Sequence, residues 1–282
     1  NSAAGYISGF ATNGFELTAG ASSSANVNAT GKNYVAWNWK AGGSGSSNTS
    51  GSINSTVSAN PTAGFSIVSY TGDQSSTQTV GHGLGVTPSF IIVKDRDNSE
   101  RNWVCYHKDL GLNKVIILNS GNLPQSITGY WGSSITDTVF GLPAGGYDNN
   151  PTGDDLIAYC FAEVEGFSKI GSFVGNGNPD GPFIHTGFSV SWLLIKNTTT
   201  AQGWYLNDSA RNPNNLNYFA LFPASNGAES NSTGGAAYDF LSNGFKPRTG
   251  NNDSNGLNDT YIYMAFGSSP FGGDGVSPAT AR

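Results

Sequence analysis

Apolar residues in this chain recur at every second position or in solid runs of four to six, not at the spacing of an amphipathic helix. Ser66–Tyr70, Phe90–Val93, Trp103–Tyr106, Val115–Leu118, Leu156–Phe161, Trp192–Ile195 and Tyr261–Phe266 are rich in β-branched and aromatic side chains. Gly, Asn, Asp and Pro bound these runs, which is how strands are punctuated. Short strands with turn residues between them predict an all-β fold of tandem β-sandwich, jelly-roll-like modules. Helix is expected only as one or two single turns, near Ser209–Asn215 or Ala224–Ser230.

The pattern repeats. Phe10-Ala-Thr-Asn-Gly-Phe15 returns as Phe240-Leu-Ser-Asn-Gly-Phe245, and each leads through a polar loop to a strand-like run, Tyr34–Trp39 or Tyr261–Phe266. Leu156–Phe161 is a third copy of that run. Gly64–Gly72 matches Gly166–Gly175 with one residue inserted, Phe90–Lys94 matches Trp192–Lys196, and Trp103 matches Trp204. Self-similarity of this kind marks an array of like units. Residues 1–43 read as a partial β-module or assembly arm, with a linker reaching to about 60. Residues 61–165 and 166–271 read as two whole β-sandwich modules, and 272–282 as an extended tail. Ala41–Ser52 has the Gly/Ser composition of a flexible linker. Ile53–Ala59 is expected to pair with Phe65–Tyr70 around Asn60-Pro-Thr-Ala-Gly64. Asn13-Gly14 and Asn243-Gly244 predict type I′ turns in which Gly supplies the positive φ. The two whole modules are expected to join rigidly and the N-terminal half more loosely. That half-module, and a first residue of Asn rather than Met, predict further chain upstream.

Composition narrows the function. Only 11% of residues are charged, and Asn, Ser, Thr and Gly take their place, giving the polar, uncharged surface frequent in secreted and surface-exposed β-proteins. A net charge of −6 with no basic cluster argues against a nucleic-acid partner. No run of 18 apolar residues is present to insert into a membrane. Cys105 and Cys160 lie in different strands of one module. They read as buried free thiols, with a disulfide as the alternative.

Candidate chemistry is sparse. His82, His107 and His185 have no metal-ligand spacing, and His107 aligns with Asp208 in the other copy. Asp148–Asp155 and Asn251–Asp259 precede equivalent strands. Such Asx-rich loops can wrap Ca²⁺, but the third copy, Ser24–Gly31, lacks a carboxylate, and Asx turns explain the loops without metal. Glu163 and Glu165 have the proximity a glycosidase pair needs. Their counterparts are Ala41/Gly43 and Ser268/Pro270, so a solvated strand end is expected instead. Asp95-Arg-Asp97 with Glu100 and Arg101 reads as a solvated hairpin tip. No catalytic residue, metal ligand or cofactor is assigned, and the chain is not read as an enzyme. Three aromatics in polar loops, Tyr130, Trp131 and Tyr147, remain as candidate binding residues. They could stack on sugar rings or fill a protein interface. Capping the sandwich ends is their plainer role.

The strings Tyr34–Gly43, Ser55–Gly72, Val80–Pro88, Tyr159–Gly171, Phe240–Lys246 and Thr260–Phe266 together resemble a family of repeat proteins found in marine and freshwater bacteriophages. Its members are usually labelled tail-fibre or minor structural proteins. The resemblance implies a virion or extracellular location and supplies no catalytic residue. The expected function is therefore a non-enzymatic virion component: a tail-fibre, receptor-binding or capsid-decoration protein. Its expected partners are further copies of itself, other virion proteins, and a host-surface glycan or protein. One alternative is a self-assembling extracellular filament subunit that exchanges strands through its half-module. A glycan-degrading depolymerase is the third reading, and the repeat comparison does not support it.

Overall fold

In this computed structural model the described residues are 4–21, 27–74, 77–145, 147–231 and 233–268. The expected tail at 272–282 lies outside them, as does part of the Ser24–Gly31 loop. The chain divides into two units, 1–39 and 40–282.

The first unit holds one antiparallel hairpin, β1 (Gly5–Ala11) and β2 (Gly14–Ala19). Ala11 pairs with Gly14, so Thr12 and Asn13 form the turn. Gly14 has an ordinary φ, which corrects the expected type I′ turn with its left-handed glycine. Tyr34–Trp39 forms no ladder among the described residues of this unit. Its counterparts in the second unit are central strands bonded on both sides.

The second unit is all-β and sandwich-like, as the alternation predicts. Its strands are β3 (Ser46–Asn48), β4 (Ser55–Asn60), β5 (Phe65–Thr71), β6 (Gln78–Gly81), β7 (Phe90–Asp95), β8 (Val104–His107), β9 (Lys114–Ile117), β10 (Gln125–Ser126), β11 (Val139–Leu142) and β12 (Asp155–Phe161). They continue with β13 (Ser168–Val174), β14 (Ile184–His185), β15 (Val190–Asn197), β16 (Trp204–Asp208), β17 (Phe219–Leu221), β18 (Ser230–Asn231), β19 (Tyr238–Leu241), β20 (Gly244–Pro247) and β21 (Thr260–Gly267). The one helical turn among the described residues is Pro61–Ala63, capped by the Asn60 side chain. The turns expected near Ser209 and Ala224 are not helical.

The sheets give the repeat a topological form. One large sheet runs β10-β9-β8-β7-β12-β5-β4-β3, the other β18-β17-β16-β15-β21-β13. From β10 to β5 the first order matches the second strand for strand. Each large sheet carries a smaller one on its inner face, β11-β6 in the first copy and β14-β20-β19 in the second. Val68, Tyr70, Ile91, Val93, Leu156 and Ala158 pack with Val80, Phe140 and Leu142 to make the first core. Leu193, Ile195, Tyr261 and Tyr263 pack with Ile184, Tyr238, Phe240 and Phe245 to make the second.

The outer faces of the central strands of the two large sheets are covered as well. Ile262, Met264 and Phe266 alternate with the core residues of β21 and are also buried. Phe266 meets Phe161 edge-on at 6.0 Å, and Trp204 meets Phe90 at 6.3 Å. Trp204 Nε1 donates to Ile117 O at 2.9 Å, and Lys196 Nζ reaches Gly121 O at 3.2 Å. The two modules therefore stack sheet on sheet. Runs such as Tyr261–Phe266 are solidly apolar, not alternating, because both faces are covered.

The loops repeat too. Asn150 Oδ1 accepts from Asp73 N, and Asn255 Oδ1 accepts from Asn176 N. Gly72 N donates to Asp154 O, and Gly175 N to Asp259 O. The Oδ1 atoms of Asp95 and Asn197 each accept from the amides two and three residues ahead. Lys94 and Lys196 each clamp the carbonyls of the same loop.

The structure corrects the expected linker. Ser46–Asn48 and Ser55–Asn60 belong to the large sheet, and β4 pairs with β5 around Pro61–Gly64 as the sequence suggests. The glycines in this stretch permit close packing. A Cβ on Gly42 would lie 2.1 Å from Ala59 O, and one on Gly51 2.4 Å from Thr79 O.

Candidate functional site

The three candidate loop aromatics part company. Trp131 is fully buried in the first core, and its Nε1 donates to Lys114 O at 3.1 Å. It is a structural residue, which corrects its assignment as a binding aromatic. Ile127 and Val115 anchor this stretch, so Tyr130 and Trp131 turn inward despite their polar neighbours. Tyr130 is also buried, but its ring forms one wall of a hollow. Tyr147 is 40% exposed and forms another wall, 5.3 Å from Tyr130 between ring centres.

That hollow has a volume of about 260 Å³. Val104, Val115, Ile117 and Ile127 line its apolar side, and Asn102, Gln125 and Asp148 its polar side. β8 and β9 place the floor, because every second side chain on them points to the same face. Asp148 is held firmly. Arg101 Nη1 donates to Oδ1 at 3.3 Å and Asn102 Nδ2 to Oδ2 at 3.1 Å. Asn102 is itself fixed by Asn119 Nδ2, at 3.2 Å. A carboxylate oriented this way can accept from a ligand hydroxyl while its charge stays balanced by Arg101. Burial raises the Tyr130 phenol above its ordinary pKa, with Asp148 adding to the effect. Tyr130 is thus neutral and able to donate.

Asn102, Gln125 and Asp148 were not legible as site residues. Asp148 reads as part of an Asx turn, and the others come from separate strand ends. One signal was present: Asp148 follows Tyr147 directly, and Asp253 stands at its counterpart in the second copy.

The other candidates serve structure. His82 is buried, with Nε2 on Thr136 O at 3.2 Å and Nδ1 accepting from Leu84 N. Burial lowers its pKa. His107 sits at the module junction, Nε2 facing Tyr263 O at 3.4 Å and Nδ1 accepting from Asp109 N. Both are buried, His82 just past the end of β6 and His107 at the end of β8. His185, on β14, is exposed. Glu163 is not a solvated strand end. It pairs with Lys108 at 2.7 Å and Lys169 at 3.2 Å, accepts from Ile170 N, and so clasps the two modules. Asp95, expected at a solvated tip, is buried beside Arg101. Cys105 and Cys160 are buried free thiols. Among the described residues no group of three or more His, Cys, Asp or Glu is placed to hold a metal ion. No described helix is long and apolar enough to cross a membrane.

No curated protein and no solved structure matches the chain. Residues 1–270 match the family described as Domain of unknown function (DUF7483), and the chain belongs to that family.

Proposed function

We propose that this chain is a non-enzymatic surface component of a virion, of the tail-fibre, receptor-binding or decoration kind, which assembles as an oligomer and meets the host surface. The observation that carries this reading is the division of labour among its polar groups. Asn150, Asn255, Asp95, Asn197, Lys196 and Glu163 are spent on loops and on the module junction. The hollow beside Tyr147 combines an exposed aromatic with oriented polar side chains, which is the makeup of a recognition site. The resemblance of the sequence to phage structural proteins supplies the location.

The test is direct. Antibody to the chain should label intact particles in electron micrographs, and the fluorescent protein should bind host cells saturably. Unlabelled particles, or cells left unstained by the assembled protein, would remove the reading.

A filament subunit is the second reading, favoured by one observation. Phe10 is 85% exposed on the N-terminal hairpin, whereas its counterpart Phe240 is fully buried in a core. Concentration-dependent fibres in electron micrographs would support it, and a closed, discrete oligomer would count against it.

A further inference from the structure

At the place that matches the floor of the Tyr147 hollow, the second module carries a much larger side chain. Val93 pairs with Val104 in the first module, and Ile195 with Tyr205 in the second, so Tyr205 occupies the place of Val104. Tyr205 packs against the second core, and its phenol lies near enough to Asp253, which occupies the place of Asp148, for that carboxylate to add to the rise in its pKa that burial causes. The second module thus places from its own chain a six-membered ring bearing a hydroxyl near the carboxylate. The first module has the short Val104 at that position and a hollow of about 260 Å³ in front of Asp148.

We infer that the first-module hollow binds a single neutral pyranose ring, its C–H face against Tyr147 and its hydroxyls on Asp148, Asn102 and Gln125. A sugar fits better than a phenol because the rim offers more polar groups than one hydroxyl can use. Among the described residues the Gln125 side chain makes no hydrogen bond, and Asp148 Oδ1 keeps a lone pair beyond the one taken by Arg101, while Asn102 occupies Oδ2. The volume lies just below the roughly 300–1,000 Å³ of drug-sized pockets, which suits one ring rather than an extended chain. Aromatic stacking and a polar rim match the two faces of a sugar. The inference deepens the receptor-binding reading and rests on it for where such a ring would be met.

The experiment titrates the full chain with neutral hexoses, N-acetylhexosamines and N-acetyltyrosinamide, followed by ligand-observed NMR. At least one pyranose should bind, and Tyr147→Ala should weaken it by roughly tenfold or more. Val104→Tyr, which copies the second module, should abolish binding. Should Val104→Tyr fail to fold, Asp148→Asn serves as the second variant, with a similar loss expected. Binding by no pyranose overturns the inference, as does binding indifferent to these variants or preference for the tyrosine amide. If host cells are still bound when no sugar is, the receptor reading stands and the hollow is not its site. If sugar binds in the hollow but cells do not bind, the site stands without that reading.

Discussion

Asn258 stands in the second module where Gly153 stands in the first, and both lie in the left-handed region, φ 63° and φ 83°. Their amides make the same bond, Asn258 N to Gly175 O and Gly153 N to Gly72 O. Asn is the residue that best tolerates this conformation after Gly. Asn258 is exposed, and a Cβ on Gly153 meets nothing within 4 Å. Substitution at either position therefore reads backbone strain alone. Gly153→Ala and Asn258→Ala should each cost about 1 kcal/mol, and Asn258→Gly should be close to neutral. Urea denaturation measures all three. Equal stability of Asn258→Ala and the parent would show that the turn relaxes.

The stack of modules makes stability depend on pH through His107. Burial between the sheets draws its pKa down from 6.5 to about 4, opposed by Asp109 and Glu163 and aided by Lys108. Between those values the unfolded chain binds a proton that the folded chain refuses. Stability present above pH 6.5 is therefore lost as pH falls toward 4, by up to about 3 kcal/mol. His82, also lowered by burial, acts with the same sign. Denaturation curves of the parent and of His107→Gln between pH 4 and 7 separate the two. The variant should show the shallower decline, and parallel curves would clear His107 of the effect.

Cys105 and Cys160 should be inert. Cys160 belongs to the first core, while Cys105 lies between core residues Val104 and Tyr106 and so faces the second module. Burial pushes the Cys160 thiol up to about 12 and the Cys105 thiol higher still. The thiolate is the reactive form. Iodoacetamide at pH 8 should leave both unmodified in the native protein and alkylate both in denaturant, as read by mass spectrometry. Rapid native labelling of Cys105 would mean that the modules separate.

The strands were legible because each has two faces to cover, so Phe90–Val93 or Tyr261–Phe266 could be little else. The hairpin around Pro61–Gly64 was legible from turn chemistry. Residues 41–52 misled because glycine has two uses. At Gly42 and Gly51 it permits close approach, not flexibility, and that depends on a neighbour distant in sequence. Gly244 is alike: a Cβ there would lie 2.1 Å from Ile184 O. Trp131 looked like a loop aromatic because its burial comes from Leu112 and Lys114, which no local pattern reveals. The hollow escaped for the same reason. Its carboxylate, its amides and its floor lie on separate loops and strands, and only the Val104–Tyr205 exchange between copies makes it stand out.

Trp204 is the sharpest test of the stack. Its counterpart Trp103 is half-buried, with its amide on Asn119 Oδ1, whereas Trp204 is fully buried against Phe90 with its indole N–H on Ile117 O. Trp204→Ala removes a large side chain from between two sheets and leaves a carbonyl without its donor. The expected cost is about 3–5 kcal/mol, or a fall in Tm of roughly 6–20 °C for a unit of this size. Trp103→Ala should cost much less, since water already reaches that ring. Calorimetry should also show one transition for the parent, because the modules share a buried face. With Trp204→Ala that transition should broaden or divide as the coupling weakens. If Trp204→Ala and Trp103→Ala melt alike, the two sheets are held by something other than this contact.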